Sequence, residues 1–178
     1  MSSTDKVMKW AGTLQWLTII AMVMMPLAVI GGLLAQPLTP ETLNSDIKGL
    51  AVSDTVTPAQ LRTAVILNLI SPLILLIILN NMRRLFGFYR LGEVLTDTCA
   101  ALIKRIGEGF LALALVPFVL NPVLSLILTL NNPAGQRAIA FALNADMFFF
   151  ALSGCLIIVI GWAMRAASDV ASENRAFI

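Results

Sequence analysis

The sequence predicts an all-α integral membrane four-helix bundle, and three observations predict it. Four long apolar runs, Gly12–Ala35, Thr63–Met82, Gly109–Leu130 and Ala138–Met164, make up most of the chain. At about 1.5 Å per residue, roughly 20 residues cross the ~30 Å hydrocarbon core of a bilayer. The 178 residues are 58% apolar and 12% charged, with a mean hydropathy of +0.89, whereas a soluble domain carries about 25% charged residues. Asp146 is the only charge inside any run.

The first span is placed at about 12–35. Lys6 and Lys9 precede it as a secretory leader would have them. The run is nonetheless longer than the roughly 7–15 apolar residues of such a leader, and Leu33-Leu34-Ala35 is a poor cleavage site. It is therefore expected to remain as a span. Residues 36–62 form the outer loop, with Pro37, Pro40 and Pro58 among Thr, Ser and Asp residues. This connection is too short for a further folded domain without disulfides, so the chain is one membrane domain, 1–178. Thr39-Pro40-Glu41 is a weak helix-start signal within it. Thr57-Pro58-Ala59-Gln60 is a strong one, a capping box with proline at the first helical position.

The second span, 63–82, is interrupted by Ser71-Pro72. The connection 83–108 begins with Arg83-Arg84 and contains Thr96-Asp97, a capping residue followed by a carboxylate near the positive helix end. From there apolar residues run on without a break, so helix 3 is expected to extend beyond the bilayer before entering its span at 109–130. Pro117 and Pro122 predict a kink in it. The fourth span is placed at 143–164, with a polar helical extension through Arg165–Arg175, where Arg165 and Asp169 have attractive i,i+4 spacing and Asp169 and Glu173 repel. Gly31-Gly32, Ser153-Gly154 and Gly161 suit close helix contact.

With the N-terminus inside, the cytoplasmic set of basic residues is Lys6, Lys9, Arg83, Arg84, Arg90, Lys104, Arg105, Arg165 and Arg175. The outer set is Lys48, Arg62 and Arg137. Nine against three favours an N-in, C-in topology. Trp10, Trp16, Tyr89 and Trp162 fall near the same inner boundary, where amphipathic rings are favoured.

No enzyme is expected. The chain has no His, which removes the commonest general base and metal ligand, and no metalloprotease, nucleophile-elbow or nucleotide-loop motif. Cys99 and Cys155 are too far apart in the topology to pair, and Cys155 is expected to be buried. No catalytic residue, metal or cofactor is assigned. Net charge +2 without a basic block excludes nucleic acid as a partner.

Two groups are candidate sites. Asp146, Asn68 and Ser125 come out at similar depth when counted from the outer ends, and a charge inside a span is a functional candidate by default. That polar layer would bind a cation or relay a proton. The other reading starts the fourth span at Met147, which leaves Asp146 at the outer interface. The second group, Arg84, Arg90, Arg105 and Glu173, lies on the helix extensions. These charges either pair to lock the bundle or present a cytoplasmic surface to a protein partner.

Two stretches carry a resemblance. One is Arg84-Leu85-Phe86 with Tyr89-Arg90, Gly92-Glu93-Val94, Leu102 through Gly107, and Asn131 through Gly135 downstream. The other is Gly161 through Ala167 with the ending Ala171-Ser172-Glu173-Asn174-Arg175-Ala176-Phe177-Ile178. Together, over roughly Leu61–Ile178, they resemble domain-of-unknown-function family 2975, small bacterial four-span membrane proteins. The resemblance implies a multi-pass protein of the bacterial inner membrane with no assigned activity. Its members are often encoded beside a helix-turn-helix regulator, which implies a sensing or regulatory role. The expected function is thus a non-enzymatic sensing, regulatory or protein-interaction component. The alternative is a small cation- or proton-coupled transporter or channel-like protein using Asp146.

Overall fold

The computed structural model describes residues 3–35, 56–133, 139, 141 and 143–176. Thr39-Pro40-Glu41, Lys48, Arg137 and the final Phe177-Ile178 lie outside the described residues. Within them the protein is helical, with no strand. The elements are α1 (Ser3–Ala35), α2 (Pro58–Asn68), α3 (Ile70–Arg90), α4 (Asp97–Thr129) and α5 (Ala145–Ala176). Helices α2 and α3 together form one spanning unit, so four helices are long and apolar enough to cross a membrane.

The helix boundaries have local causes. Helix α2 starts as its capping box requires: the Gln60 backbone N–H donates to Thr57 Oγ1 at 3.4 Å, and the Thr57 N–H donates to Gln60 Oε1 at 2.8 Å. It breaks at Leu69, three residues before Pro72, whose ring has no N–H to offer and crowds the carbonyl one turn back. Helix α3 ends on a Schellman turn. Gly92 takes φ +82°, its N–H bonds the Tyr89 carbonyl, and the Glu93 N–H bonds the Phe88 carbonyl. Thr96 then caps α4, its hydroxyl accepting from the Cys99 N–H at 3.3 Å. Helix α4 runs unbroken past Pro117 and Pro122 to Thr129.

The helices pack in series. Helix α1 lies on α3, α3 on α4, and α4 most extensively on α5, while α2 leans on the C-terminal half of α4. Among the described residues α1 and α5 share no extensive contact. The four spanning helices expected from the sequence are present, and their packing as a row is a particular that the sequence left open. The physical reason is that lipid replaces water around it. Apolar flanks such as Leu17, Ile20 and Leu27 on α1 or Leu152, Leu156 and Val159 on α5 stay exposed, and lipid tails leave no hydrophobic force to close the ring.

Two clusters form the interior. Ile78, Leu85, Cys99, Leu102, Ile103 and Ile106 fill the α3/α4 contact, and Ala64, Leu124 and Leu128 fill the α2/α4 contact. The α4/α5 seam is built on backbone. A Cβ placed on Gly107 would lie 2.8 Å from the Gly154 carbonyl oxygen, and one on Gly154 would lie 2.8 Å from the Gly107 carbonyl oxygen. Gly161 meets the Lys104 backbone N at 3.0 Å by the same measure. These pairs make α4 and α5 antiparallel and place Lys104 beside Gly161.

Candidate functional site

The spacing of contacts aligns one end of all the helices. Gly12 faces Arg90 and Gln15 faces Gly87 across α1/α3, Ile78 faces Gly109 across α3/α4, and Lys104 faces Gly161 across α4/α5. Arg84, Lys104, Arg105, Trp162 and Arg165 therefore gather at a common level. This is the level at which the uncharged stretches of α3 and α4 end.

Two cavities open there. The first, about 340 Å³, lies between α1 and α3 and is lined by Gln15, Arg84, Gly87, Phe88, Arg90 and Leu91. Arg84 and Arg90 are exposed, and neither has an ion pair or hydrogen bond to the described residues. The Gln15 amide oxygen is buried and has no hydrogen-bond donor. An unmade hydrogen bond of this kind costs about 1–3 kcal/mol. The second cavity, about 230 Å³, lies between α4 and α5, and Lys104, Arg105, Glu108, Trp162 and Arg165 line it. Lys104 Nζ sits 3.5 Å from Glu108 Oε1, the single ion pair among the described residues. Arg105 and Arg165 keep their charges unpaired beside the exposed Trp162 ring.

Of the second predicted group, Arg84 and Arg90 thus share one cavity and Arg105 borders the other. Glu173 is exposed near the end of α5 and pairs with none of them, and Arg165 makes no ion pair with Asp169. No salt bridge among these residues ties the helices together. The extensions are held by the apolar contacts of Cys99, Leu102, Ile103 and Ile106.

The first predicted group does not form a bonded cluster. Asp146 stands in the first turn of α5, exposed and without a hydrogen bond or ion pair to the described residues. A carboxylate there favours the positive helix end. Asn68 is exposed and donates its amide to the Ala64 carbonyl of its own helix at 3.0 Å. Ser125 is fully buried, and its hydroxyl donates to the Pro122 carbonyl at 2.8 Å.

Ser125 belongs instead to a buried polar stripe on α4, with Asn121 and Thr129 at four-residue spacing and Asn132 just beyond. The Asn121 amide nitrogen is buried without a partner. Gln60 joins the C-terminal end of this helix, donating to the Ile127 carbonyl at 3.1 Å and accepting from the Asn131 amide at 3.1 Å.

Sequence reasoning passed over Gln15 and Thr129. Gln15 is the one amide in the first apolar run, a signal that a search for charges does not register. Neither cysteine is set up as a nucleophile. Cys99 is buried and donates its thiol to the Glu93 carbonyl at 3.1 Å. Cys155 is exposed on α5, contrary to the burial expected of it.

The site so defined is a polar rim closing an otherwise apolar multi-pass protein. No protein-family model, curated protein or solved structure matches the chain.

Proposed function

We propose that this chain is a multi-pass protein of a bacterial inner membrane, with both termini in the cytoplasm. It acts without catalysis, as a sensing or regulatory component that docks an acidic protein partner on the charged ends of α4 and α5. The observation that carries this reading is the α4/α5 rim, where Arg105 and Arg165 stand exposed and unpaired beside Trp162. Guanidinium groups next to an exposed aromatic ring are the side chains most enriched at protein interfaces. The nine-to-three distribution of basic residues supports placing this end in the cytoplasm. The resemblance to domain-of-unknown-function family 2975 belongs to the same proposal, because its matching residues other than Asn131 through Gly135 gather at this end.

The test is affinity purification of the full chain in mild detergent with mass spectrometry of what comes with it. Arg105→Glu combined with Arg165→Glu is expected to abolish recovery of the partner while leaving the yield of the chain unchanged. Undiminished recovery would sink the reading.

A second reading, a cation- or proton-coupled transporter, draws on the buried Asn121–Ser125–Thr129 stripe and its unpartnered amide. It expects Asp146→Asn to abolish ion flux in proteoliposomes. The favoured reading expects no flux in either protein.

A further inference from the structure

We propose that the cavity between α1 and α3 binds the phosphate headgroup of an anionic phospholipid, held by Arg84, Arg90 and the Gln15 amide. The inference is independent of the docking reading above, which rests on the other seam.

Charge is the first argument. Two guanidinium groups flank one cavity of about 340 Å³ and no carboxylate lines it. Neither is neutralised by the described residues. Arginine is the side chain best matched to phosphate, because its planar fork donates two parallel hydrogen bonds to a pair of oxygens. The second argument is the Gln15 amide at the same cavity: its oxygen is turned away and buried, and its nitrogen lies 3.4 Å from where a Cβ on Gly87 would stand. The N–H donors are therefore the end of the amide that faces the cavity wall at Gly87. A phosphate oxygen in the cavity accepts from these donors alongside the two guanidinium groups.

Position argues for a lipid as the source of the phosphate. Arg84 lies two residues beyond Met82, where the uncharged stretch ends, and on α1 the exposed rings of Trp10 and Trp16 bracket Gln15. Indole rings of this kind settle at headgroup depth. Phe88 and Leu91 give the cavity an apolar side suited to the glycerol and upper acyl carbons. A zwitterionic headgroup would bring its own cation against the arginines, so the site selects lipids with net negative charge. Basic pockets between spanning helices at the inner face are a recurrent form of such recognition.

The full chain, purified in neutral detergent, is compared by native mass spectrometry with phosphatidylglycerol, phosphatidylcholine and inorganic phosphate. Phosphatidylglycerol is expected to remain bound where phosphatidylcholine is lost, and inorganic phosphate is expected not to displace it. Arg84→Gln and Arg90→Gln should each weaken retention about fivefold and together about 25-fold. Gly87→Leu, which changes no charge, should weaken it comparably by filling the cavity. The control Arg105→Gln with Arg165→Gln removes equal charge from the other seam and should leave retention unchanged.

Equal retention of both lipids overturns the proposal, as does equal loss in the control pair. Displacement by inorganic phosphate overturns the lipid assignment. A photocrosslinking phenylalanine placed at Leu91 keeps the test independent of the arginine variants: it should label phosphatidylglycerol, and absence of label counts against the site.

Discussion

The α4/α5 seam and the α1/α3 seam both place glycines against a neighbouring helix, yet they use the missing side chain in opposite ways. Gly107 and Gly154 let two backbones meet, each carbonyl occupying the space where the other's Cβ would stand. Gly12 and Gly87 leave more room. A Cβ on either would meet only the far part of a flexible side chain, Arg90 Cδ at 3.7 Å or Gln15 Nε2 at 3.4 Å. One seam is a structural weld and the other is a cavity with polar walls. In lipid, where association depends on close van der Waals contact, this contrast says that α4 and α5 form the rigid half. Helix α1 is the more loosely held element, and its seam is where a small molecule finds space.

The contrast breaks most sharply at Gly154. In Gly154→Ala the new methyl lies 2.8 Å from the Gly107 oxygen and 2.9 Å from the Leu111 nitrogen. Neither is the end of a side chain that can swing away, so the helices must part and the whole seam loses contact. Overpacking of this kind costs about 1–3 kcal/mol, and the upper part of that range is expected here. Gly107→Ala should behave alike. The double variant should lose less than the sum, because separation forced by one methyl makes room for the other. Unfolding of the purified chain by denaturing detergent measures this. A loss below about 0.5 kcal/mol for Gly154→Ala, the size of an ordinary surface substitution, would refute the weld.

The sequence made some of this legible and hid the rest for identifiable reasons. Four spanning units and their caps were readable, because run length and the pairs Thr57/Gln60 and Thr96/Cys99 act locally. The order of packing was not. Helices apolar on all sides carry no stripe that distinguishes a protein-facing side from a lipid-facing one, so a closed bundle and an open row read alike. Half of the glycine weld was legible, since Gly154 and Gly161 stand out as small residues suited to close contact, whereas their partner Gly107 lies on the other, antiparallel helix and no GxxxG pattern marks it. Cys155 was misjudged because a rule drawn from soluble interiors was applied to a surface facing lipid. At the site, Arg84, Arg90 and Arg105 stood out as charges bounding apolar runs, while Gln15 became visible only when α1 was laid against Gly87.

The smallest expected effect sharpens the comparison from the other side. Gly87→Ala adds the same methyl as Gly154→Ala, again on a helix facing a helix. Its Cβ meets the Gln15 amide end at 3.4 Å, a contact that a slight rotation of that side chain relieves. Against this stands the gain from replacing glycine within a helix, up to about 1 kcal/mol in alanine's favour. The net change is expected to lie between zero and a slight stabilisation, opposite in sign to Gly154→Ala under the same unfolding assay. A loss above about 1 kcal/mol would show the α1/α3 seam to be packed as tightly as α4/α5, and the cavity would then be too shallow to admit a headgroup. A neutral result leaves a chain whose fold is indifferent to the methyl while the cavity wall has moved inwards. Any accompanying loss of lipid retention is then a property of the site and not of the fold.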